Sequence, residues 1–214
     1  MSLLQPFIKH TGVVVPLDRI NVDTDQMVPK QFCKSISREG YGRILFYDWR
    51  YLNGESPNAE FVLNFPRYSG GSILLTRANF GCGSSREHAA WAVLDYGIRV
   101  ILAPSYADIF YNNCIKNGIL PVRLGDAQIN ELFERVKRNN GYQLTVDLQE
   151  LAISDEFGLS LGFEIDGFRR RCLLQGLDEI GLALEHEAEI AAYEKKQSFL
   201  PTLRDASVLF GRPE

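Results

Sequence analysis

The sequence predicts an α/β fold: a mostly parallel central sheet, extra short strands beside it and a C-terminal helix. Three observations carry that expectation. Between residues 72 and 124, short apolar runs alternate with stretches of helical spacing, the pattern of a parallel sheet with crossover helices. From residue 142 to 174 the runs are short and separated by turn residues. After Gly176, residues 177–196 form a charged amphipathic stretch of helical period.

Each element has its own signal. Residues 7–17 (FIKHTGVVVPL) are rich in β-branched side chains and read as a strand punctuated by Gly12 and Pro16. Residues 19–26 form a polar turn whose Asn, Asp and Thr side chains can bond local backbone. Residues 29–57 follow neither period and carry Phe46, Tyr47, Trp49 and Tyr51. They are expected to form a long, partly helical loop, and such loops are usually functional. Residues 72–75 are a strand, 81–85 a loop, and the helix that begins at Ser85 stops at Gly97 after burying Ala89, Trp91, Ala92, Val93 and Tyr96. Residues 99–103 give a second strand of this group. Ser105 is expected to cap a second helix running to Gly118, and residues 119–124 give a third strand. Further strands are expected at 142–146, 151–154, 162–165 and 168–174, the last two joined by an Asp166-Gly167 hairpin turn. Residues 1–176 then make one α/β domain, with residues 177–214 a helix and tail packed on it.

The composition bounds the function. A chain of 214 residues that is 45% hydrophobic and 23% charged can bury a core without disulfides or metals. A net charge of −4 argues against a nucleic-acid partner, which needs clustered Lys and Arg. The one dense basic run, Arg169 to Arg171, reads as a solvated turn. No apolar run approaches the roughly 18 residues of a membrane span, and no basic, apolar leader opens the chain, so the protein is expected in the cytoplasm with no membrane partner. Cys33, Cys82, Cys114 and Cys172 lie far apart, with no CxxC pair and no His at ligand spacing. Neither a disulfide framework nor a metal site on this chain is expected.

The chemistry concentrates in Gly81-Cys82-Gly83-Ser84-Ser85-Arg86-Glu87-His88, between a buried strand and a helix N-terminus. Such a place presents unpaired amides and the positive end of a helix dipole. Two glycines allow close backbone approach, two serines add donors, and Arg86 adds a planar fork suited to a carboxylate. The dinucleotide fingerprint fails because Arg86 stands where the third glycine belongs, and no GxxxxGK[ST] is present. A small carboxylic acid fits the loop better. The plainer reading, a helix capped by Ser84 or Ser85, accounts for one serine but not for the whole cluster. His88 reads either as a partner of the site or as a packed side chain, and Cys82 with His88 is not aimed as a nucleophilic pair.

The run NFGCGSSREHAAWAVLDYGIRVILAPSYADIFYNN resembles the swivelling domain of the aconitase superfamily. VVVPLDRINVDTDQMVPKQF and FYDWRYL are similar to the family of bacterial 3-isopropylmalate dehydratase small subunits. The resemblance spans residues 7–196 and implies an aconitase-type swivelling β/β/α domain. It also implies a hydro-lyase that interconverts 2- and 3-isopropylmalate through 2-isopropylmaleate in leucine biosynthesis. The hydroxy-diacid would be handled together with a large subunit, in a heterodimer or heterotetramer. The [4Fe–4S] cluster is then expected on that partner and no cofactor on this chain. Carried over residue by residue, Ser84 is the base that takes the carbon-bound proton, Ser85 a supporting donor beside Gly83, and Arg86 the substrate-carboxylate clamp. Asp25, in the DTD turn, is a further catalytic candidate. Phe32 and Cys33, in a loop of residues 29–42, would meet the isopropyl group; alternatively Phe32 only anchors that loop. A related subunit acting on homoaconitate or a methylated maleate, and a non-catalytic carboxylate-binding module, are the alternatives.

Overall fold

The computed structural model describes residues 4–33 and 40–196. It begins with strand β1 (Lys9–Leu17), a one-turn helix α1 (Thr24–Met27), a second short helix α2 (Tyr47–Arg50) and a minimal hairpin of β2 (Tyr51–Leu52) and β3 (Ser56–Pro57). The alternating stretch comes next as β4 (Ile73–Thr76), α3 (Glu87–Asp95), β5 (Val100–Ala103), α4 (Asp108–Lys116) and β6 (Leu120–Arg123). After α5 (Asp126–Arg138) come β7 (Gln143–Asp147), β8 (Ala152–Ser154), β9 (Ser160–Gly162) and α6 (Gly167–Gln175). Helices α7 (Glu179–Leu184) and α8 (Glu187–Lys196) belong to a separate compact unit.

Seven strands form one sheet in the order β6-β5-β4-β1-β7-β8-β9. β1 is the seam. Its residues 9–13 pair antiparallel with β7, and residues 14–17 pair parallel with β4, so one strand serves an antiparallel half and a parallel half in turn. Pro16, which cannot donate a ladder hydrogen bond, lies beyond the last residue paired with β7. Every residue of β4 and β5 is buried, as strands covered on both faces must be. β6 carries Pro121, tolerated because β6 is an edge strand. α3 buries Ala89, Ala90, Ala92 and Val93, small side chains that admit a close approach, while α5 buries Ile129, Leu132, Phe133 and Val136 at spacings of three and four.

Several expectations need correction. Ser105 does not cap α4: the N-cap is Ala107, without a side-chain bond, and the Ser105 hydroxyl instead accepts the Asn79 amide at 2.8 Å. Residues 168–174 are not a strand but the body of α6, and Asp166 is its N-cap, accepting the Arg169 amide at 3.0 Å. An aspartate before a glycine serves a helix start as well as a hairpin, and the local sequence does not separate the two. The arginine run is correspondingly not a solvated turn. Arg169 donates to Asn112 Oδ1 at 2.9 Å and Arg170 to the Gln149 carbonyl at 2.6 Å, tying α6 to α4 and to the turn after β7. Residues 162–165 contribute only Gly162 to a strand. The single helix expected at 177–196 is two, α7 and α8. The expected tail, residues 197–214, and the middle of the 29–42 loop, residues 34–39, lie outside the described residues.

Candidate active site

The site grows from the carboxyl ends of three adjacent parallel strands, β1, β4 and β5, where parallel sheets present their ligands. Past Leu17, β1 leads into Asp23 and α1. Past Thr76, β4 leads into Gly81 to Arg86. Isolated parallel bridges, Asp23 with Cys82 and Phe80 with Tyr106, continue the sheet register into these loops. The Gly81 amide donates to Val22 O at 2.8 Å, the Thr24 amide to Cys82 O at 2.9 Å and the Thr24 hydroxyl to Ser84 O at 2.6 Å.

The two loop glycines have a packing reason as well as a conformational one. Both sit at positive φ, +77° at Gly81 and +85° at Gly83. A Cβ on Gly81 would stand 2.2 Å from Phe110 Cγ, and one on Gly83 would stand 2.0 Å from Asp23 Oδ2. The space left by the missing side chains is thus filled by a core ring and by the Asp23 carboxylate. That carboxylate is itself engaged, accepting the Asp25 amide at 2.6 Å, while Gln26 Oε1 accepts the Asp23 amide at 3.0 Å: a capping box that fixes α1.

The serines are not caps. α3 starts at Glu87, its N-cap is Arg86, and no side chain caps it. Ser84 and Ser85 are exposed, and neither hydroxyl makes a hydrogen bond among the described residues. Arg86, with a side chain 16% exposed, turns back across α1 and forms an ion pair with Asp25 Oδ1. The same Nη1 approaches Val28 O at 3.5 Å and Cys33 Sγ at 3.9 Å. Asp25, Arg86 and Cys33 are therefore brought together. Phe32 is turned elsewhere, its ring edge-on to Tyr47 with centroids 4.8 Å apart, which favours the anchoring role for it. His88 packs between Tyr41 and Trp91, with centroids 5.4 and 4.7 Å away. Burial pushes the Cys82 thiol up, and the Asp23 carboxylate adds to the effect, so Cys82 is not an activated thiolate.

An open cleft of about 280 Å³ lies over these residues, with Thr24, Gly83, Ser84, Ser85 and Arg86 on one wall. The opposite wall is the start of α4, from Ala107 to Phe110. α4, like α3, has no side-chain cap at its N-cap residue. Two helix N-termini and a guanidinium therefore line one cleft, an arrangement suited to an anion. Asp108 opposes this only weakly, since its side chain is 93% exposed and screened by water. Neither α4 nor Thr24 is among the site residues expected from sequence. A signal for Thr24 lies in the DTD turn, but a hydroxyl flanked by two carboxylates is equally ordinary turn chemistry.

Among the described residues no group of three or more His, Cys, Asp or Glu could hold a metal ion, and the four cysteines stand apart. Among the described residues the donor set does not fit an iron–sulfur cluster.

Comparison with known proteins gives the family. Residues 4–127 match the aconitase C-terminal domain model, and residues 130–167 match the model described as LeuD_N. A 3-isopropylmalate dehydratase small subunit from Brevibacillus brevis is 58% identical over 194 residues, which make up 91% of this chain and 100% of that protein. The chain belongs to the aconitase C-terminal domain family, among the 3-isopropylmalate dehydratase small subunits. A crystal structure of 3-isopropylmalate dehydratase from Methanocaldococcus jannaschii covers 87% of this chain and 99% of its own, at 23% identity and a TM-score of 0.63. That likeness speaks for the aconitase-type fold. No helix among the described residues is long and apolar enough to cross a membrane.

Proposed function

We propose that the chain is the small subunit of a 3-isopropylmalate dehydratase. In the assembled enzyme it interconverts 2- and 3-isopropylmalate through 2-isopropylmaleate, a hydro-lyase reaction of leucine biosynthesis carried out in the cytoplasm. The observation that carries this reading is the cleft in which two unengaged serine hydroxyls and Arg86 meet two helix N-termini, in a chain 58% identical to a named small subunit. The partner in this reading is a large subunit that carries the [4Fe–4S] cluster, and no residue of this chain is assigned to that group.

The roles of the chain's own residues come from physical chemistry. Dehydration removes a proton from carbon next to a carboxylate and hydroxide from the neighbouring carbon, together one water, and leaves a C=C bond between them; negative charge develops on that carboxylate as the proton leaves. Arg86 is the fixed cation for it, and the amides at the starts of α3 and α4 add partial positive charge that need not reorganise. Serine is a weak base at its ordinary pKa, and Ser84 needs that same field to accept a proton. Its hydroxyl is uncommitted and exposed to the cleft, as a base awaiting substrate must be. Ser85 supplies a further donor. Asp25 pairs with Arg86 and orients it, and Cys33 lies beside the same guanidinium, where it would offer the substrate an apolar contact.

The test is co-expression with the large subunit, anaerobic cluster reconstitution and an ultraviolet assay of 2-isopropylmaleate formed from 3-isopropylmalate. Turnover is expected only from the mixture. In the assembled enzyme Ser84→Ala should lower kcat by about 10²–10⁴-fold, the usual worth of a positioned acid or base. Near wild-type turnover by that variant would remove Ser84 from its role. A stable, cluster-loaded complex that acts on another hydroxy-diacid and not on isopropylmalate would replace the substrate.

A further inference from the structure

We infer that Thr24 is a positioning residue for Ser84, holding the base in place through the backbone on which its side chain stands. The inference rests on the reading of Ser84 given under Proposed function. Thr24 is 2% exposed, one of three buried polar residues among the described residues, and a buried hydroxyl needs a partner. Its partner is the Ser84 carbonyl at 2.6 Å, while its amide holds the Cys82 carbonyl at 2.9 Å. One residue thus grips alternate carbonyls of the site loop. The amide contact continues the parallel bridge between Asp23 and Cys82, and the hydroxyl contact extends the grip two residues further, to where the strand register has ended.

Nothing else among the described residues bonds the Ser84 peptide or hydroxyl to the body of the fold. Ser84 is exposed, Gly83 before it lacks a side chain and sits at φ +85°, and Arg86 two residues on is anchored separately by Asp25. Without the threonine hydroxyl, the 83–85 segment could pivot between Cys82 and Arg86. Ser84 is an exposed residue whose carbonyl can turn to water when the donor is lost, so the effect on folding is small. A displacement of about 1 Å at a reacting group, by contrast, costs on the order of 10²-fold in rate.

The experiment uses the enzyme assembled with its large subunit and the series Thr24→Ser, Thr24→Cys and Thr24→Val, with kcat and KM for 3-isopropylmalate measured per assembled complex. Hydrogen exchange at the amides of Gly81 and residue 24 is followed alongside. The expected order of kcat is wild type close to Ser, then Cys, then Val, with Val lowered about 10–100-fold and KM moved by less than about twofold. The two amides should stay protected, because the contacts they make are untouched by the side-chain change. Unchanged kcat in Thr24→Val overturns the proposal. So does a fall in kcat accompanied by loss of protection at both amides, which marks general damage to the loop. If Thr24→Val does not assemble, Thr24→Cys decides: a weak donor with full kcat refutes the positioning role. If the wild-type complex itself does not act on isopropylmalate, the functional reading falls and takes this inference with it; a fully active wild type with an equally active Thr24→Val removes this inference alone.

Discussion

Replacing Gly83 by alanine tests the loop construction most directly. The native φ of +85° costs an L-residue about 1–2 kcal/mol wherever space is available. Space is not available: the new Cβ would lie 2.0 Å from Asp23 Oδ2 and 2.5 Å from its Cγ, where ordinary contact begins at 3.4 Å. The carboxylate has to retreat, and in doing so it gives up the Asp25 amide it accepts at 2.6 Å, a cap worth about 1 kcal/mol. The combined loss is about 2–3 kcal/mol, a fall in Tm of roughly 4–12 °C for a body of this size. Turnover should fall further than stability does, by about 10²-fold, because the displaced carboxylate heads the same turn that carries Thr24 and Asp25. Thermal unfolding by circular dichroism and the isopropylmaleate assay read the two effects. Adding Asp23→Gly removes the colliding carboxylate and leaves a residue tolerated at an N-cap, so the double variant should recover part of the lost Tm. An unchanged Tm in Gly83→Ala, or a double variant whose losses simply add, would refute the claim that the glycine exists to make room for Asp23.

Other consequences concern groups remote from the cleft. Asp155 has a fully buried side chain that accepts from the Tyr142 hydroxyl at 2.5 Å, Arg135 at 3.0 Å and the Leu159 amide at 2.7 Å, so Asp155→Asn should cost about 2–4 kcal/mol in urea unfolding at neutral pH. Burial alone would raise the Asp155 pKa, but the Tyr142 hydroxyl, the Leu159 and Phe157 amides and Arg135 together hold it below the ordinary carboxylate value. Its stabilisation is therefore complete above the unfolded value and lost as pH falls through the lower folded one; the Asn variant should show a flatter acid limb below about pH 4. Burial, with Arg99 second, lowers the His10 pKa below 6.5, while the ring bonds Ser72 Oγ at 2.7 Å. The unfolded chain then takes up the proton first, so stability declines as pH drops below about 6.5, and His10→Gln should lessen that slope between about pH 5 and 7. Asp166→Ala should lower stability by about 1 kcal/mol and Asp166→Asn by much less, and an equal Tm for both would remove Asp166 as the cap of α6.

How much of the molecule is legible in the chain depends on the range of each signal. The strands between residues 72 and 124 are short, almost wholly apolar and separated by helical spacing, so their pattern and their position agree. Asp166-Gly167 misleads because its meaning is set by tertiary packing: the same dipeptide closes a hairpin or opens a helix, and α6 is chosen by the burial of Cys172 and Leu173. Residues 125–141 carry no expected element, although Ile129, Leu132, Phe133 and Val136 repeat at the helical spacing that α5 then shows. At the site, the residue types of the GCGSSR loop point to an anion. What no local pattern could disclose is that Gly83 yields its space to Asp23, that Arg86 reaches Asp25, and that α4 forms the facing wall. Those are contacts between segments about 60 and 25 residues apart in sequence, fixed only by the adjacency of β1, β4 and β5.

That adjacency also explains how an exposed loop can hold the reacting groups proposed for it accurately. A serine that must meet substrate cannot be buried, and an exposed loop is ordinarily mobile. Here the sheet register does not stop at the strand ends: Phe80 bridges to Tyr106, Cys82 to Asp23, and the Thr24 hydroxyl carries the last contact to Ser84. Ser84 is thereby two residues from a hydrogen-bonded lattice whose strands β4 and β5 are wholly buried, and Arg86 begins a helix whose alanines are in the core. The flexible interval is reduced to Gly83 through Ser85, held at both ends and by one hydroxyl in the middle. Rigidity comes from backbone pairing beneath the loop, which leaves the side chains above it free for the role proposed for them.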